Sequence, residues 1–111
     1  MFHGRLRDML KVGGENVAAV EIESCLQEHD AVKLAQVVGI PDPRLIEVAA
    51  AFIELEPGQS ASEEQLIAHC KGRIASFKVP RHVRFVDEWP ISSTKIQKFR
   101  LQNQITEELG L

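Results

Sequence analysis

At 111 residues the chain is the size of one domain, and 44% hydrophobic with 26% charged residues is a globular mixture. That composition excludes a disordered tail, a collagen-like fibre and a disulfide-stapled miniprotein. A net charge of -3 speaks against a general nucleic-acid binder. No apolar run approaches the ~18 residues of a membrane-spanning helix.

Residues 6–12 read as a short mixed segment that Gly13-Gly14 breaks into a tight turn. A helical pattern follows, with Ala18, Ile22, Cys25 and Leu26 recurring at spacings of three and four. Glu21 and Glu23 suit the positive end of that helix, and His29-Asp30 closes it. Val32 to Ile40 is apolar in both phases and reads as a strand covered on both faces. Pro41-Asp42-Pro43 turns the chain into a second strand, Val48 to Leu55, paired antiparallel with the first. Ser62 with Gln65 three residues later marks a capping box. The helix it opens carries Leu66, Cys70, Ile74 and Phe77 and is expected to run until Pro80 stops it. His82 to Val86 alternates and reads as a third strand. Residues 89–94 lack periodicity and read as a polar loop. Residues 96–109 are expected to form a last helix, with Ile96, Phe99, Ile105 and Leu109 inside. The whole is an α+β domain: a small mixed or antiparallel sheet with flanking helices and an N-terminal β-turn element.

Charge is unevenly spread. Lys71, Arg73, Lys78, Arg81, Arg84, Lys95, Lys98 and Arg100 fall within residues 71–100, opposed there only by Asp87 and Glu88. A stretch of about +6 in an acidic chain points to an anionic ligand. The glycine turn at residues 13–17 has exposed amides able to hold an anion or let a thin ligand pass along the backbone; a plain connecting turn is the simpler reading. Lys95 on its loop is a movable cation for phosphate or carboxylate oxygens, or else part of a solvated basic loop. Cys25 and Cys70 fall on apolar helix stripes and read as small core residues. Two cysteines without framework spacing fit a reducing cytoplasm. No His or Cys pair has zinc-site spacing, and no nucleophile–base arrangement is visible.

Six blocks then fall in one order: Gly4-Arg5-Leu6-Arg7-Asp8, Gly13-Gly14-Glu15-Asn16-Val17 with Glu21-Ile22-Glu23, Val37-Val38-Gly39-Ile40-Pro41-Asp42, Phe77-Lys78-Val79-Pro80, Phe85 to Pro90, and Lys95-Ile96-Gln97-Lys98. Together they resemble the C-terminal domain of AMP-forming acyl-CoA synthetases, in the adenylate-forming superfamily. The resemblance implies a lid domain over residues 1–111, with a hinge at 4–8 and a catalytic-lysine loop at 90–98. A much larger N-terminal domain would be the partner. Such enzymes join a carboxylate to ATP, then pass the acyl group to CoA. By resemblance Lys95 is the adenylation lysine, and Arg5 lies near the ATP ribose. Gly13, Gly14 and Glu15 belong to the turn lining the pantetheine path, and Arg7 and Asp8 form the hinge. Any Mg²⁺ would be bound outside this segment. The resemblance implies a fatty or aryl acid–CoA ligase whose lid alone is inactive. A free-standing binding or regulatory module of the same fold is the alternative; a small nucleic-acid-binding domain fits least well.

Overall fold

The structure is a computed structural model and describes residues 9–89, 91–92 and 95–110. The glycine pair makes a hairpin of β1 (Met9–Val12) and β2 (Glu15–Ala18), in register Met9↔Ala18 to Val12↔Glu15. Residues 9–12 of the mixed segment are therefore a strand: Leu10 and Val12 point inward while Met9 and Lys11 face out, the period-2 pattern of a half-covered sheet. Helix α1 (Ala19–Gln27) starts where β2 ends, so Ala18 closes the strand; Ala19, Ile22, Cys25 and Leu26 are buried.

Strands β3 (Val32–Asp42) and β4 (Ile46–Leu55) pair antiparallel from Val32↔Leu55 to Asp42↔Ile46, as the sequence led one to expect. Their alternation divides the core in two. Ala49, Ala51 and Ile53 face a cluster built with α1, whereas Val48, Ala50 and Phe52 face Val38, Ile40, Leu101 and Ile105. One edge of β4 is filled by β3. The other is shared by β1, near Ile46, and by β5 (His82–Phe85), which runs parallel over Ala50↔His82 to Ile53↔Phe85.

The outer edge of β3 is sealed by side chains. The amide N–H of Ala35 donates to Gln27 Oε1 and that of Val37 to Glu23 Oε2, both at 2.9 Å. The Gln102 amide donates to the Gly39 carbonyl. Covering an edge in this way prevents it from templating a further strand.

Three expectations are corrected. The second helix, α2 (Glu63–Cys70), has the expected capping box: Gln65 N–H donates to Ser62 Oγ at 3.1 Å and Ser62 N–H to Gln65 Oε1 at 2.8 Å. It stops at Cys70, however, because Lys71 is extended and Gly72 takes a φ of +84°. Glycine just past a helix end is the usual left-handed stop. A 3₁₀ turn at Ser76–Lys78 follows, and Phe77 is partly exposed. Secondly, the polar loop holds a small hairpin, β6 (Ile91–Ser92) with β7 (Lys95–Ile96), paired Ile91↔Ile96 and Ser92↔Lys95. Thirdly, the last helix, α3 (Lys98–Glu108), buries Leu101 and Ile105 but leaves Phe99 56% exposed. Phe99 is two residues from Leu101, some 200° around the helix, and so cannot share its face.

Candidate functional site

The glycine turn is the first of two elements. Gly13 and Gly14 have φ of +61° and +90°, and the two-residue connection between paired strands needs positive φ at both positions. A Cβ on Gly14 would meet nothing within 4 Å, so within this chain glycine serves the backbone conformation and leaves open space above the turn. Glu15 is exposed beside it.

The β3–β4 connection braces this turn from behind. Gly13 N–H donates to the Leu45 carbonyl at 2.6 Å, and Lys11 N–H donates to Glu47 Oε1 at 2.8 Å. Asp42 Oδ1 accepts the N–H groups of Leu45 and Arg44, both at 2.8 Å. These two backbone bonds, with a smaller contribution from nearby arginines, hold the Asp42 carboxyl below its ordinary 3.8. Ile46 follows with a φ of 72°, and Glu47 N–H returns to the Leu45 carbonyl at 2.8 Å, closing a three-residue turn. A β-branched residue in that region is strained by about 1–3 kcal/mol. Its side chain is 57% exposed, so little packing compensates. Ile46→Gly should raise stability by about 1 kcal/mol once the added freedom of the unfolded chain is deducted. Chemical denaturation would show this as a higher midpoint at unchanged slope; a lower midpoint would mean that the isoleucine side chain matters more than the strain.

The second element is the β6–β7 hairpin with Lys95 at the start of β7. The indole N–H of Trp89 donates to Glu54 Oε1 at 2.8 Å on its entry side. On its exit side Lys98 Nζ donates to Glu23 Oε2 at 2.6 Å. By sequence position Glu23 is expected at the positive end of α1, but only Glu21 lies in its first turn. The Glu23 carboxylate instead leaves the helix for the β3 edge, and no local pattern could signal a partner 75 residues away.

The anchor at the exit of the second element stands apart from the glycine turn along the sheet. Lys98 is held at the level of Val37, whose register partner is Ala51, while the glycine hairpin meets β4 at Ile46. Five residues of strand, about 17 Å, separate those levels. Arg5, Arg7 and Asp8 lie outside the described residues.

Folding also redistributes the charge of residues 71–100. Lys78 pairs with Glu21 at 3.0 Å, Arg84 with Glu108 at 2.9 Å, and Lys98 with Glu23. Lys71 and Arg81 border a cleft of about 540 Å³ floored by Ile67, Ile74 and Val79, which offers two cations to an anion. Cys25 and Cys70 are free and buried. Burial, then the neighbouring Cys25, pushes the Cys70 thiol up to about 12, so it stays protonated and unreactive. Among the described residues no three His, Cys, Asp or Glu side chains gather as a metal site, and no helix is long and apolar enough to cross a membrane.

Residues 21–96 match the model of the AMP-binding enzyme C-terminal domain. The chain is 49% identical over 109 residues to YngI of Bacillus subtilis (strain 168), covering 97% of this chain and 20% of that protein. It is 44% identical to the mitochondrial medium-chain acyl-CoA ligase ACSF2 of Danio rerio, covering 97% of this chain and 18% of that one. Among solved structures, the acyl-CoA synthetase of Brucella canis superposes with a TM-score of 0.84 at 36% identity, over 96% of this chain and 20% of that one. The chain thus spans about a fifth of the length of these relatives. It belongs to the AMP-binding enzyme C-terminal domain family, the domain that acyl-CoA synthetases carry.

Proposed function

We propose that this domain serves an acid–CoA ligase, which activates a fatty or aryl carboxylate with ATP to acyl-AMP and pyrophosphate and then transfers the acyl group to the CoA thiol, releasing AMP. The observation that carries this reading is the separation just described. The glycine turn and Lys98, the anchor three residues beyond Lys95, stand at different levels along β4, which suits two elements used in two successive steps. Lys95 is the adenylation cation, its ammonium bridging the carboxylate and the α-phosphate as negative charge develops there. Gly13 and Gly14, with Glu15 beside them, border the path of the CoA thiol arm. The open space above Gly14 is what a thin, extended ligand needs.

The remaining assignments follow the same reading. Arg5 lies near the ATP ribose, and Arg7 and Asp8 form the hinge through which the domain turns on a larger N-terminal domain. The chain is one domain, with the hinge at 4–8 and the lysine loop at 90–98. ATP and CoA are substrates, and Mg²⁺ enters with ATP at residues outside this chain. Two free buried thiols accord with a reducing cytoplasm. On its own the 111-residue domain is expected to consume no ATP with any carboxylate, and turnover by the isolated domain would overturn that.

Gly14→Leu tests the thiol path. In the synthetase that carries this domain, acyl-AMP formation should stay within about twofold of the parent. Thioester formation from supplied acyl-AMP should fall by about tenfold or more, because a side chain then occupies the open space and φ of +90° is strained for it. Equal losses in both steps would remove the assignment.

A further inference from the structure

The hairpin that carries Lys95 is too short to hold itself. Its strands have two residues each, and even longer two-stranded hairpins are marginal in water. The fixed ends that bracket it must therefore order it. On the exit side the pair is more deeply covered than the Lys78–Glu21, Lys33–Glu54 and Arg84–Glu108 pairs, chiefly through its carboxylate. Lys98 and Glu23 side chains are 21% and 13% exposed, whereas the Lys33–Glu54 pair lies at 3.6 Å with Lys33 54% exposed. Glu23 is also pre-set. The same Oε2 that meets Lys98 accepts the Val37 N–H from the outer edge of β3, so the carboxylate cannot swing with the lysine. Ile96, between Lys95 and Lys98, packs at the margin of the α3-side core.

We infer that Glu23 is a positioning residue for Lys95: pinned to β3 by Val37, its carboxylate clamps Lys98 at the start of α3, three residues beyond the reacting lysine, and so fixes the exit of β7. The inference rests on the ligase reading for its catalytic half. Its mechanical half stands on this chain alone.

Glu23→Gln separates the clamp from the edge seal, because the amide oxygen still accepts the Val37 N–H while the charge is gone. Lys98→Met removes the cation and keeps the stem. Lys98→Arg keeps the charge. Amide hydrogen exchange on the chain is the first readout. Exchange at Ser92, Lys95 and Ile96 should quicken about tenfold in Glu23→Gln and in Lys98→Met, no further in the double variant, and little in Lys98→Arg. Amides of β4 around Ala51 should stay unchanged. Unaltered hairpin exchange, or equal quickening in β4, overturns the clamp.

The second readout is the synthetase that carries this domain. Glu23→Gln should lower kcat for acyl-AMP formation about tenfold at unchanged KM for ATP, and spare thioester formation from supplied acyl-AMP. Parental kcat in a variant whose hairpin exchanges faster would overturn the positioning role. A parent enzyme that forms no acyl-AMP would overturn the ligase reading and the catalytic half with it, while hydrogen exchange still decides whether Glu23 holds the hairpin.

Discussion

On the ligase reading proposed above, Lys95→Ala is expected to lower acyl-AMP formation by the synthetase about 10²–10³-fold, the usual cost of losing one donor aimed at developing charge. Thioester formation from acyl-AMP supplied to the same variant should stay within about twofold. The reasoning is electrostatic. When a carboxylate attacks the α-phosphate, two anions approach each other, and a compact ammonium on a short strand can neutralise both without contributing a bond. The thioester step begins from an acyl-AMP already made, so it does not need that cation. Lys95→Arg keeps the charge but replaces a point by a planar fork, and should recover only part of the loss. Pyrophosphate exchange measures the first step, and CoA consumption with supplied acyl-AMP the second. An alanine variant that adenylates at the parental rate, or loses both steps equally, would remove Lys95 from the role proposed.

Phe52→Ala is expected to destabilise the fold by about 3–5 kcal/mol. Phe52 is 1% exposed and is the largest of the fully buried side chains among the described residues. It stands on the face of β4 that α3 covers, against Leu101 and Ile105. Its neighbours Ala50 and Val48 are too small to refill the space. Against a total stability of ~5–15 kcal/mol that is a large share, and the melting temperature should fall by roughly 15 °C or more. Phe99→Ala is the control. The sequence pattern suggested that Phe99 was also inside, but it is 56% exposed, and its loss should cost under about 1 kcal/mol. Thermal unfolding of the two variants side by side checks both. A small effect at Phe52, or a large one at Phe99, would show that the α3 face is packed differently.

Local signals in the sequence carry through to the structure. The capping box of α2, the diglycine turn and the doubly apolar β3 each depend on residues within a few positions of one another, and each holds in the structure. Gly72 is an equally local stop signal, and although Ile74 and Phe77 extend the apolar spacing beyond it, the left-handed glycine outweighs that spacing. The β6–β7 hairpin left no signal, since strands of two residues are too short to show alternation.

By itself, then, the chain's residue order determined its domain size, its α+β class, its family resemblance and the positions of the glycine turn and Lys95. Those are properties of composition and of short windows. Only the tertiary structure decided that β5 lies parallel beside β4, that two cores flank one sheet, and that Glu23 meets Lys98. Such contacts join residues tens of positions apart, and they form because burial and charge pairing are settled over the whole fold, where no short window can see them.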